Sequence, residues 1–90
     1  MTPPITLSIY VLPQCRGCAR ARRVAEEIRD RVPSVQVDVV DLSTGDEPPA
    51  AVFSVPTYLL NGAVISLGNP RVNDLIHTIH LRMEGSAAAT

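Results

Sequence analysis

Cys15 and Cys18 stand three residues apart, around Arg16-Gly17, and are the only cysteines in the chain. Two thiols at this spacing can exchange with a disulfide, chelate a soft metal, or serve as two small core residues. They fall where an alternating segment, Ile5 to Leu12, gives way to one with helical periodicity. The first turn of a helix presents unpaired N–H groups that act as a partial positive charge. A thiolate, the nucleophilic form of cysteine, is stabilised there. With one turn between them, the second sulfur can reach back to the first. A metal role has only two cysteine ligands per chain, so it needs a dimer or outside thiols.

The elements that must hold this pair are readable. Ile5, Leu7, Ile9 and Val11 alternate with Thr6, Ser8 and Tyr10, the pattern of a strand with one apolar face, and Pro13 ends it. Cys18, Ala21, Val24, Ala25, Ile28 and Val32 then form a helical stripe that Pro33 closes. Cys18 is therefore expected to point inward and Cys15 to sit exposed at the helix start. Arg22 with Glu26 and Arg23 with Glu27 are spaced for ion pairs along the outer face.

Val35, Val37 and Val39 begin a second strand that runs on to Leu42, and a strand, helix and strand of these lengths predict a parallel pair with a right-handed crossover. Beyond Pro48-Pro49, Ala50 to Phe53 suits a short helix. Residues 56–60 and 63–67 flank Asn61-Gly62, the dipeptide of a type I′ hairpin turn. Asn69-Pro70 has the order of a helix N-cap and first-turn proline, with Val72, Leu75, Ile76, Ile79 and Met83 on one face. Gly85 is expected to cap that helix, giving one domain over 1–85 and a disordered tail over 86–90. Tyr10 and Tyr58 read as packing residues.

Composition narrows the function. The 90 residues are 46% hydrophobic and 19% charged, which suits one small domain. With three aromatics and a net charge of -1, the chain lacks the basic footprint of a nucleic-acid binder and its stacking platforms. No stretch approaches membrane-spanning length, and nothing near Met1 has the form of a signal peptide. Paired cysteines in such a chain point to the cytoplasm and to a redox or metal pair rather than a structural staple. His77 and His80, three apart, read as partly exposed helix residues, since their distance from the cysteines does not suit a zinc finger.

The order strand, Cys-x-x-Cys, helix, strand, connector, Val-Pro-Thr strand, hairpin partner, helix covers almost the whole chain and resembles the thioredoxin fold in its compact, glutaredoxin-sized form. Cys15 and Cys18 match the family's redox pair, and Val55-Pro56-Thr57 its Val-Pro or Ile-Pro-Thr element. The resemblance implies a mixed α/β sheet of about four strands flanked by helices, a parallel pair and an antiparallel hairpin among them. It also implies a cis proline at Pro56, against the sulfurs, and substrate pairing along Val55. Cys15 would attack a disulfide and Cys18 resolve it, with Val55, Pro56 and Thr57 shaping the substrate groove; Arg16, inside the motif, is a further substrate-binding candidate on its position alone. No bound cofactor is implied. The substrate would be a protein or small-molecule disulfide, the electron donor a reductase or low-molecular-weight thiol, and the protein a monomer.

The chain also departs from that pattern. Arg16-Gly17 replaces the Gly-Pro of thioredoxins and the Pro-Tyr of glutaredoxins, and Gln14 stands where thioredoxins carry Trp. Ile9 occupies the place of their buried acid, and the glutaredoxin lysine has no counterpart because all eight cations are Arg. Arg16, Arg20 and Arg23 share an arc of the helix from which they could lower the Cys15 pKa and attract acidic groups. A metal or iron–sulfur carrier, and a redox-silent binding module, remain rival readings of the same residues.

Overall fold

The computed structural model describes residues 5–45, 47, 52 and 54–88. Strand β1, Thr6–Val11, is followed by helix α1, Arg16–Arg31, and strand β2, Gln36–Asp41. A 3-10 turn over Leu42–Thr44 leads away, and β3, Thr57–Leu60, then forms a hairpin with β4, Ala63–Leu67, before helix α2, Val72–Ala88. The sheet order is β2-β1-β3-β4, with β1 parallel to β2 and antiparallel to β3. This is the mixed four-stranded thioredoxin-like architecture that the residue pattern implied.

The alternation in β1 buries Leu7, Ile9 and Val11 completely, while Thr6, Ser8 and Tyr10 stay partly accessible. On α1 the buried residues are Cys18, Ala21, Val24, Ala25 and Ile28, and Val32 is buried at its C-cap. These join Tyr58 and Leu60 of β3 and Leu75 and Ile79 of α2 in one apolar cluster. A fully buried Ile such as Ile28 contributes roughly 1.5–3 kcal/mol relative to an exposed one. The expected short helix at Ala50 to Phe53 lies largely outside the described residues.

The hairpin forms at Asn61-Gly62, whose φ values of 50° and 86° are the left-handed pair that a type I′ turn requires. Asn61 does more than turn the chain. Its backbone N–H donates to Thr6 O and its Oδ1 accepts from Thr6 N, both at 2.9 Å, which ties the turn to the start of β1.

Three local expectations are corrected. Glu26 and Glu27 pair with Arg29 and Arg31 rather than with Arg22 and Arg23, while Arg22 reaches Asp41, the last residue of β2, at 3.3 Å. Tertiary proximity thus competes with helix spacing for the same cations. Asn69 is not the cap of α2, which begins at Val72, and its side chain is engaged elsewhere. The helix also runs through Gly85 to Ala88 instead of ending at Gly85. Glycine inside a helix costs only about 1 kcal/mol relative to alanine, and the Ala residues that follow favour continuation. Residues 89–90 of the expected tail lie outside the described residues.

Candidate active site

β1 and α1 place the two cysteines. The chain leaves β1 through an exposed turn at Pro13-Gln14, and Cys15 takes an extended conformation, φ -107° and ψ 125°, as the N-cap of α1. Its carbonyl accepts from Cys18 N at 3.1 Å and Ala19 N at 3.4 Å. Its sulfur also accepts from Cys18 N, at 3.1 Å, a role usually taken by Ser, Thr, Asp or Asn. No acidic residue in the first turn of α1 offsets the positive end of the helix. Any negative charge on Cys15 Sγ therefore meets an N–H donor and an unopposed dipole.

Cys18 differs. It is the first residue of the buried stripe, only 1% exposed, while Cys15 is half-buried. Leu12 N donates toward its sulfur at 3.4 Å. The two cysteines form a disulfide with a Cα–Cα separation of 5.0 Å, inside the ordinary range for such a bond.

The Val55-Pro56 peptide is cis, and the proline lies against the cysteine turn. The contact is so close that a Cβ on Gly17 would come within 3.1 Å of Pro56 Cδ and 3.4 Å of Asn69 Nδ2. Pro56 O accepts from Gly68 N at 2.8 Å, which holds the connection after β4 to this element. Thr57 is fully buried and its hydroxyl donates to Ser54 O at 2.6 Å, bracing the chain on either side of the proline. Val55 is half-buried beside the core, and Arg16 is exposed on the first residue of α1. Gly17 is thus the joint between Cys15-Cys18 and Pro56. Of the arginine arc, Arg20 and Arg23 border an open depression with Val24, Glu27 and Val72, and Arg16 is not among its lining residues.

Residues read only as packing or capping also reach the site. Asn69 Nδ2 donates to Gly17 O at 2.8 Å, and Asn69 Oδ1 accepts from the Tyr58 hydroxyl at 2.7 Å. Burial pushes the Tyr58 phenol up to about 12, against the opposing pull of the Arg20 charge, so Tyr58 is a neutral donor over the physiological range. The Gly17 to Asn69 bond spans 52 positions. The only local hint was a polar residue before a proline, which reads equally as a cap.

The sheet order, the cysteine pair at the start of α1 and the cis proline opposite it make up a thioredoxin-like fold. No family model matches the chain. It is 29% identical over 83 residues to the thioredoxin of Methanocaldococcus jannaschii, covering 88% of this chain and 96% of that one. The Fasciola hepatica thioredoxin superposes with a TM-score of 0.70 at 19% identity, over 88% of this chain and 81% of the other. A malarial protein gives 0.71 at 19% identity, over 87% and 96%. Among the described residues no helix is long and apolar enough to cross a membrane.

Proposed function

We propose that the protein is a thiol–disulfide oxidoreductase that reduces protein or small-molecule disulfides. The observation that carries the reading is the bonded Cys15–Cys18 pair, with Cys15 half-buried at the helix start, Cys18 buried behind it and cis Pro56 packed on the intervening Gly17.

In the reduced protein, the Cys15 thiolate attacks one sulfur of the substrate disulfide. A mixed disulfide forms, and the other substrate sulfur leaves as a thiolate that takes a proton from solvent. Cys18, deprotonated, then attacks Cys15 Sγ, closing the internal disulfide and releasing the second substrate thiol. Two electrons pass to the substrate and the Cys15–Cys18 pair is oxidised. A reductase or a low-molecular-weight thiol returns it to the dithiol, so a reducing compartment such as the cytoplasm suits the cycle. Val55, Pro56 and Thr57 form the substrate groove, with Val55 offering its backbone to an extended chain and Arg16 favouring acidic neighbours of the target disulfide. A monomer suffices for each step, and no bound cofactor enters any of them.

The asymmetry between the sulfurs supplies the test. Cys18→Ser should accumulate a stable mixed disulfide between Cys15 and a model disulfide substrate, seen as the adduct mass in non-reducing mass spectrometry. Cys15→Ser should accumulate none. Equal trapping by both variants would contradict the assignment of nucleophile and resolving thiol.

A further inference from the structure

Three hydrogen bonds run in one direction from the interior to the reactive sulfur. The Tyr58 hydroxyl donates to Asn69 Oδ1 at 2.7 Å, and the Asn69 amide donates to Gly17 O at 2.8 Å. That carbonyl belongs to the peptide unit whose N–H is Cys18 N, and Cys18 N donates to Cys15 Sγ at 3.1 Å, sharing its proton with Cys15 O. Each donation into an amide oxygen strengthens the N–H at the other end of the same amide, so a chain of aligned bonds polarises cooperatively. Here two amides in series, the Asn69 side chain and the Gly17–Cys18 peptide, are aligned with their donor ends toward the sulfur.

We propose that Tyr58 and Asn69 are positioning residues that act through the Gly17–Cys18 peptide to stabilise the Cys15 thiolate. The proposal rests on the reading of Cys15 as the nucleophile. Its geometry is well held. Tyr58 is fully buried, so its hydroxyl has little competition from water. The donation it makes fixes which end of the Asn69 amide faces Gly17. Asn69 itself is held between the Gly68 N to Pro56 O bond and the Gly17 contact, where a Cβ on Gly17 would come within 3.4 Å of its nitrogen. Ile9, fully buried on β1, brings no charge to the interior. A neutral relay supplies donor strength at the sulfur without a buried charge and its desolvation cost.

The test is made in the Cys18→Ser background, where one sulfur titrates and the backbone N–H at position 18 is kept. The probe is iodoacetamide, and the readout is the pH midpoint of the alkylation rate of Cys15. Tyr58→Phe keeps the ring in the core and removes only the hydroxyl, and should raise the midpoint by about 0.3 pH unit. Asn69→Leu should raise it more, by roughly 0.5 unit, because the N–H to the sulfur is kept and loses only the polarisation passed through Gly17 O. Because Tyr58 acts through Asn69, the double variant should shift no further than Asn69→Leu alone. The neighbouring charged and titratable groups, Arg16, Arg20 and Arg22 on α1, Tyr10 on β1, Asp41 on β2 and Arg71 before α2, are the same in all four proteins.

Unchanged or lowered midpoints in Tyr58→Phe, or additive shifts in the double variant, overturn the relay. Should Asn69→Leu fail to fold, the Tyr58→Phe shift alone decides. The parent midpoint, read in the same series, addresses the other question: a value near the ordinary 8.5 would remove the activation of Cys15 whatever the variants do.

Discussion

At the scale of single residues, the two cysteines were legible because their difference is periodic. Cys18 opens an apolar stripe and Cys15 precedes it, and the structure buries the first and leaves the second at the helix end. Asn69 was not legible in this way. Its local context, Asn-Pro before an amphipathic segment, is that of a cap, and only the fold brings Gly17 and Tyr58 to its two ends. Tyr58 is a packing residue, as its place in an apolar strand implies, but its buried hydroxyl also needs a partner and finds it in Asn69.

That buried phenol makes the protein sensitive to alkali in a defined window. With its pKa raised from 10.0 to about 12 by burial, Tyr58 favours the folded state fully below pH 10. The contribution is lost as pH rises from about 10 to about 12, because the unfolded chain releases the proton first. The urea midpoint of the wild type should therefore fall more steeply across this window than that of Tyr58→Phe. Parallel declines in the two proteins would show that Tyr58 ionises as readily folded as unfolded.

At the scale of elements, strand and helix patterns transferred well from residues to structure, whereas contacts between elements did not. Arg22 illustrates the reason: its helix spacing offered Glu26, yet the crossover brings Asp41 within 3.3 Å. The extent of α2 differs from its sequence signal for a related cause, since Gly85 is a terminator only if the chain must turn there.

Gly17 is the element-scale constraint of most consequence for function, because α1, the cis Val55-Pro56 element and the loop before α2 converge on it. In an exposed helix, Gly→Ala would add about 1 kcal/mol of stability. Here the new methyl must displace the Pro56 ring or the Asn69 amide by a few tenths of an ångström. Gly17→Ala should accordingly show no such gain in its urea midpoint, and its disulfide-reduction rate should fall several-fold. A stabilised variant with full activity would mean that the packing of Pro56 on the cysteine turn is not needed.

At the scale of the molecule, the described residues present the cysteine pair on one four-stranded sheet with two α-helices, and its parallel and hairpin pairings within a mixed sheet were foreseeable from three features. These are the crossover length between β1 and β2, the Asn61-Gly62 turn, and the match of Val55-Pro56-Thr57 with the thioredoxin-like family. The stretch between the 3-10 turn and β3 lies largely outside the described residues, and its prolines and small residues carry no hydrophobic period. Every step of the proposed cycle depends on Cys15 being the sulfur that meets the substrate. Its most direct test is the rate at which the protein catalyses reduction of a model protein disulfide, with dithiothreitol as electron donor, in wild type and in Cys15→Ser. Loss of the catalysed rate down to the dithiothreitol background in Cys15→Ser is the predicted result. A Cys15→Ser protein that reduces the substrate as fast as the wild type would contradict it.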